Sequence, residues 1–228
     1  MRVVVTGANR GIGLEFVRQF LSRGDTVEAT ARDPERATEL NRLKEAVGER
    51  LRIHRLDVAD DFSVSAFADA LLPGPVDLLV NNAGLGAWIG LDELDFQEAK
   101  RLFDVNALGP LRVTRALLPR LRQGSQKRIV HLTSRMGSIA DNSSGGSYGY
   151  RMSKAALNMA SRTLAVDLAG EGMVSVVLHP GWVQTGMGGE GATTTPTDAV
   201  EAMIRIIDGL GPDESGRFFH ANGTELPW

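Results

Sequence analysis

The chain reads as an α/β protein, a doubly wound parallel sheet with helices on both faces. Three observations carry that expectation. Short β-branched runs alternate with helix-like segments along the whole chain, and strand–helix–strand units of this kind wind a parallel sheet. Several of the runs are apolar at every position, as strands covered on both faces must be. No Pro/Gly/Ser-rich linker and no repeat divides the 228 residues, a length that single α/β domains reach, so one domain spanning 1–228 is expected.

The elements follow in order. Strands are expected at residues 3–6, 26–31, 51–56, 76–80, 128–133 and 174–178, with a short last one at 217–220. Helices are expected at 12–23, 34–47, 62–71, 96–122 and 147–168, with another near Pro196. Pro34 suits a first helical turn, and Gly24 and Gly170 suit helix ends. Gly109 and Pro110 interrupt the longest segment, and a proline there removes a backbone donor, which predicts a kink near Asn106.

Composition narrows the function. Hydrophobic residues at 43% and charged residues at 23% are ordinary for a chain with a full core. A net charge of −3 with no basic block argues against nucleic acid; Arg112, Arg115, Arg120 and Arg122 gather near one helix end and read as a solvated face. Zero cysteines exclude disulfides, thiolate ligands and thiol catalysis. A strand beginning at residue 2 leaves no room for a signal peptide, and no apolar run is long enough to cross a bilayer, so a cytoplasmic protein is expected. His54, His131, His179 and His220 are scattered without the spacing of a metal site; His179, before Pro180, reads as a satisfied strand-end histidine.

Two motifs carry chemistry. Val3-Val4-Val5 leads into Thr6-Gly7-Ala8-Asn9-Arg10-Gly11-Ile12-Gly13, and a helix follows. Glycines allow a tight turn and close backbone approach, and the helix N-terminus favours a pyrophosphate, so this stretch fits a dinucleotide. Tyr150 and Lys154 are four residues apart, on one face of a helix, where a phenol and an ammonium reach one site. Together they suggest a nicotinamide-dependent oxidoreductase acting on a carbonyl or an alcohol.

The second expected strand ends Ala31-Arg32, where a carboxylate would select NAD(H) by holding the adenosine 2′-hydroxyl. Arg32, with Arg10 in the glycine turn, suits a 2′-phosphate instead, and NADP(H) is the expected cofactor. Glu28, earlier in that strand, is expected to point elsewhere.

The Gly-x3-Gly-x-Gly spacing, Asn81-Asn82-Ala83-Gly84, Asn106, Ser134, Tyr150 with Lys154, and Pro180-Gly181-Trp182-Val183-Gln184-Thr185 resemble, in that order, the short-chain dehydrogenase/reductase family. The resemblance runs over almost the whole chain and implies the family's Rossmann-like sheet. The ending Phe-Phe-His-Ala-Asn-Gly-Thr-Glu-Leu-Pro-Trp, with the Arg-Met-Ser-Lys-Ala-Ala-Leu-Asn helix, is similar to the branch holding sniffer-type carbonyl reductases and C-factor-like proteins.

That resemblance implies roles. Tyr150 would be the general acid, Ser134 would hold the substrate oxygen, and Asn106 would support a proton relay through water. Lys154 would bind the nicotinamide ribose and lower the pKa of Tyr150. A cation about 4 Å away at an effective dielectric near 20 is worth about 4 kcal/mol, roughly three units off a phenol near 10. Asp57-Val58 would contact adenine, and Asn81, Ala83 and Gly84 would line the adenosine side. Pro180, Gly181, Val183 and Thr185 would run beside the nicotinamide. A dimer through the helices at 96–122 and 147–168 is also implied, since both carry apolar residues on more than one face; a monomer stays open.

Alternatives accompany these readings. Ser134 could close a backbone turn, Asn106 could bond backbone at the kink, and Asn82 is as consistent with a structural role as with contact. Tyr148, whose fourth neighbour is Met152, lacks a cation and reads with Trp88, Trp182 and Met187 as an apolar wall for a small hydrophobic carbonyl or alcohol. The polar stretch between Ser134 and Tyr150 is expected to shape the substrate mouth. The Gly/Thr-rich residues after Thr185 are expected to form a short mobile lid. A sensor or signalling protein that binds NADP(H) without turnover, and an NAD-linked dehydrogenase of hydroxylated lipids, remain as rivals.

Overall fold

The computed structural model, which describes residues 1–228, contains seven strands: β1 (Arg2–Val5), β2 (Thr26–Ala31), β3 (Leu51–Arg55), β4 (Leu78–Asn81), β5 (Arg128–Leu132), β6 (Val174–His179) and β7 (Phe218–His220). Seven α-helices accompany them: α1 (Gly11–Ser22), α2 (Thr38–Val47), α3 (Asp61–Ala70), α4 (Phe96–Phe103), α5 (Gly109–Leu121), α6 (Tyr148–Asp167) and α7 (Pro196–Asp208). The strands form one sheet in the order β3-β2-β1-β4-β5-β6-β7, and every pairing is parallel.

Alternate side chains of the central strands β1, β4 and β5 feed two cores. Val3, Val5, Leu78 and Val80 join a 30-residue cluster with Phe16 and Phe20 of α1, Leu40 of α2 and Met203 of α7. Val4, Leu79 and Ile129 face the other way, into a 14-residue cluster with Phe67 of α3 and Leu117 and Leu121 of α5. The continuous apolar runs are thus two alternating sets, each satisfied by a different helical layer. From β1 the chain winds to β2 and β3 on one side and to β4 onward on the other, so a crevice opens at the carboxyl ends of β1 and β4.

The expected interruption of the long helix takes the form of a π-helical segment, Asp104–Leu108, between α4 and α5. Pro110 has no N–H for the carbonyl four residues back, which is that of Asn106. Gly109 lets α5 press on Val58, whose Cγ2 would stand 2.8 Å from a Cβ there.

Boundaries differ where side chains compete with the backbone. Residues 34–37 form a turn instead of helix, because Asn41 Nδ2 takes the Pro34 carbonyl and Ala37 N–H donates to the same oxygen. Asp60 accepts from the N–H groups of Phe62 and Ser63, starting α3 at Asp61. Gly24 ends α1 at φ +86°, but Gly170 lies within a 3-10 turn and Gly172 takes the left-handed conformation there. Three of the gathered arginines are tied up: Arg112 pairs with Asp61 and Asp104, Arg122 with Glu171, and Arg120 donates to three backbone carbonyls.

Candidate active site

The glycine turn is held from below by β4. Thr6 Oγ1 accepts from the N–H groups of Asn82 and Ala83, both at 3.0 Å, and Asn82 Nδ2 donates to the carbonyls of Thr6 and Gly7, both at 2.9 Å. The amide of Asn82 is therefore structural. Gly7, at φ +63°, lies where a Cβ would approach Ala83 Cα to 2.9 Å. A Cβ on Gly13 would collide with the Gly7 carbonyl oxygen and sit 2.5 Å from Asn82 Nδ2. Gly11, at φ +55°, faces the methyl of Thr185. Arg10, extended at the N-cap of α1, makes no side-chain cap, and Asn9 and Arg10 are exposed.

Arg10 and Arg32 are both exposed and neither forms an ion pair, unlike most arginines of this surface. Arg10 Nη1 lies 3.9 Å from the Cβ position of Gly186, so its guanidinium reaches over the turn. Glu28 points elsewhere, as expected: it is buried against Arg2, Arg52 and His54, and although burial pushes its carboxyl up, His54 and Arg2 together hold it below the usual range. Asp57 Oδ1 accepts from Ala59 N–H, and Val58 is buried against Gly109. Asn81 turns its amide inward to Thr114 Oγ1 and His131 Nδ1, each at 3.2 Å.

Around the crevice, Ser134, Tyr150 and Lys154 are all less than a tenth exposed. Burial raises the Tyr150 phenol above its ordinary value, with the Ser134 hydroxyl acting in the opposite direction. Lys154 Nζ donates to the Leu132 carbonyl at 2.9 Å and lies 5.8 Å from the centre of the Tyr150 ring. Burial brings Lys154 itself down to about 8. The expected acidification of Tyr150 by Lys154 is not met in this structure. The ammonium is bonded to a carbonyl and faces the ring, while desolvation of the phenol dominates.

Ser134 also closes a turn, its Oγ accepting from Met136 N–H. Asn106 gives both amide hydrogens to Leu85 O and Ser153 Oγ, and its Oδ1 accepts from Leu85 N–H. That fastens the π segment to the strand-end loop beside Gly84, where a Cβ would lie 3.2 Å from Asn106 Oδ1 and 3.6 Å from Lys154 Nζ.

Trp88 and Met187 flank Gly86, and the Trp88 ring touches Tyr150. Trp182 is used differently from the expected wall. Its indole N–H donates to the Gly188 carbonyl at 2.7 Å and its ring lies against Gly191. The residues after Thr185 are thereby pinned into turns, beside an open cavity of about 660 Å³ lined by Gln184, Thr185, Gly186, Gly189 and Glu190. Gly181, at φ +86°, follows Pro180, and buried Val183 bridges to Thr194. His179 is not satisfied as expected: its Nδ1 is buried without a partner, and its ring meets His220 edge-on at 4.9 Å. Burial holds it down to about 3.

Sequence reasoning passed over Arg151 and Asn158 of α6, which tie the loop after Ser134 to the helix carrying Tyr150. The consecutive glycines at 145 and 146 were the available signal, since carbonyls turned out of regular structure need a donor.

Comparisons with known proteins show the family and the fold. A model of the family described as short chain dehydrogenase matches residues 1–195. The C-signal protein of Myxococcus xanthus is 59% identical over 164 residues, 72% of this chain and 99% of that protein. Among solved structures, the NADPH-bound carbonyl reductase from chicken fatty liver superposes with a TM-score of 0.94 at 35% identity, covering 100% of this chain and 98% of that one. The carbonyl reductase Sniffer of D. melanogaster gives 0.95 at 30% identity, covering 100% and 99%.

Proposed function

The chain belongs to the short chain dehydrogenase family, and from that premise we propose that residues 1–228 form a single NADPH-dependent carbonyl reductase domain, able to run in reverse as an alcohol dehydrogenase. The observation that carries the reading is the buried Tyr150 phenol, kept protonated by its surroundings, with Ser134 beside it and Lys154 facing its ring.

The residues fit the cofactor. Gly7, Gly11 and Gly13 let the turn pack tightly on Ala83, Thr185 and Asn82 with its backbone bare toward the crevice, and the unpaired guanidinium groups of Arg10 and Arg32 suit a phosphate. Asn9 and Ile12 complete the pyrophosphate turn. Asp57 and Val58 would receive the adenine, Ala83, Gly84 and the backbone of Asn81 the adenosine side, and Pro180, Gly181, Val183 and Thr185 the nicotinamide. Bound NADPH would supply hydride to the carbonyl carbon.

The protein's part is proton transfer and orientation. Tyr150 donates its proton to the carbonyl oxygen while the Ser134 hydroxyl holds that oxygen in place. Lys154, brought down to about 8 by burial, holds its amine between the Leu132 carbonyl and the Tyr150 ring and so fixes the floor of the site. Lys154 and Tyr150 would also bind the nicotinamide ribose. Asn106, its amide hydrogens already engaged, fixes the loop at Leu85 and can serve a water relay only as an acceptor. Trp88 and Met187 favour small hydrophobic carbonyls. A homodimer is part of the proposal: Phe96 and Phe103 on α4, and Met159 and Val166 on the adjoining α6, are exposed apolar residues at sevenfold spacing, which light scattering would test.

The deciding experiment follows NADPH oxidation with a panel of aldehydes, diketones and quinones, for wild type and Tyr150→Phe. Loss of a general acid is expected to slow turnover by about 10²–10⁴ with NADPH affinity nearly unchanged. Wild-type rates for Tyr150→Phe across the panel would overturn the assignment. The second reading, a signalling protein without turnover, is favoured by the likeness to C-signal. Tight NADPH binding with no oxidation on any carbonyl would support it.

A further inference from the structure

Ser134 and Tyr150 are joined by a loop whose tip, residues 142–146, is exposed and polar. Gly145 and Gly146 take φ of +63° and +66°, and Ser147 follows at +50°, so three successive residues are left-handed. A Cβ on either glycine would meet nothing within 4 Å, which shows how little packing holds the tip.

One side chain gathers it. Arg151 Nε donates to the carbonyls of Gly145 and Gly146, both at 3.1 Å, and Nη2 donates to Ser144 Oγ at 2.8 Å. Nη1 donates to the Met136 carbonyl at 3.4 Å, two residues beyond Ser134. A guanidinium offers five donors in a rigid plane, which suits this span between the two arms of one loop. Arg151 forms no salt bridge; its charge is directed wholly at loop oxygens. The near half of the loop has other ties, from Arg135 to Asp141 and from Asn158 to Gly137. For the tip, the remaining side-chain bond is local, from Gly145 N–H to Asn142 Oδ1.

We propose that Arg151 is a positioning residue that clamps the loop joining Ser134 to Tyr150 and so sets which sizes of carbonyl enter the site. The inference rests on the reductase reading. Arg151 sits one residue from Tyr150, so the helical turn that presents the phenol also holds the tip of the loop that begins at Ser134. Freed from the clamp, the tip would swing outward and the site would lose its preference between small and bulky substrates.

The test compares wild type, Arg151→Met and Arg151→Lys by two measurements. Hydrogen exchange of the amides at 143–146, which needs no turnover, should speed up in Arg151→Met and partly recover in Arg151→Lys. Initial rates with propanal and with phenanthrenequinone should show the ratio of their KM values shifting by about fivefold or more in Arg151→Met, with NADPH affinity within about twofold of wild type. A KM ratio within about twofold of wild type, or exchange that does not change, would overturn the inference. An inactive wild type would instead sink the reductase reading, and size selection with it, while exchange still reports on the clamp.

Discussion

The ring of Trp88 meets the ring of Tyr150 edge-on, with centroids 4.9 Å apart and planes at 72°. Trp88 is 57% exposed while Tyr150 is 6% exposed, so the indole stands between the phenol and solvent. It contributes to the desolvation that keeps the phenol protonated, and it presents an apolar face to a substrate.

Replacing Trp88 with alanine is therefore expected to raise KM for aromatic carbonyls by about tenfold, in keeping with the loss of one aromatic contact. The pH profile of kcat should also move to lower pH as water reaches the phenol. Initial-rate kinetics across pH would check both; an unchanged profile would place Trp88 outside the site.

Cofactor choice tests the two unpaired arginines. Hydrogen bonds to charged groups contribute about 1.5–3 kcal/mol each, so Arg10→Ser with Arg32→Ser should weaken NADPH by about a hundredfold or more. NADH, lacking the 2′-phosphate, should change only a few-fold. Fluorescence titration separates the outcomes, and equal losses would show that neither guanidinium meets that phosphate.

Gly13 and Gly170 make a matched pair. A methyl at Gly13 strikes the Gly7 carbonyl and Asn82, whereas one at Gly170 meets nothing within 4 Å. Overpacking costs about 1–3 kcal/mol, so Gly13→Ala should lower Tm by roughly 2–10 °C, and Gly170→Ala should leave it almost unmoved. Thermal unfolding would show whether the turn tolerates a side chain.

Acid should destabilise the fold through His131. Its ring is fully buried, bonded to Asn81, and burial together with the charge of Lys154 lowers its pKa from 6.5 to about 3. The unfolded chain takes up that proton first, so the contribution is complete above pH 6.5 and is lost as pH falls toward 3, at up to about 1.4 kcal/mol per unit. His179 adds a like slope. Lys154, lowered from 10.5 to about 8, works in the alkaline range, where stability gains as pH rises between those values. Denaturant unfolding at pH 7 and at mildly acidic pH, for wild type and His131→Leu, should show a shallower loss in the variant.

The sheet was legible because most strands are β-branched or apolar runs and most helices follow one. Val3-Val4-Val5 and Val174–His179 could be placed to within a residue or two from pattern alone. The glycine turn could be read because Gly7 and Gly13 sit where a side chain would strike backbone, and Gly7 and Gly11 both take positive φ. Less could be read where one side chain settles a distant backbone group. Asn41 holding Pro34 delays α2, Trp182 pinning Gly188 turns a supposed wall into a strut, and Arg151 reaching Met136 spans fifteen positions. The protonation of Tyr150 was misjudged for a related reason: sequence spacing gives the neighbour's charge but not the burial that opposes it.

The π segment Asp104–Leu108 has one more consequence. Such a segment acts as a helix carrying a surplus residue, and no point substitution can remove the surplus. Deleting a residue there would restore plain α-helical bonding and leave α5 in register, but the bulge that presents Asn106 would be gone. Asn106 would leave Leu85, and with it the tie between this helix and the strand-end loop. Length variation in homologous chains should therefore avoid this stretch and collect in the exposed tip at 142–146.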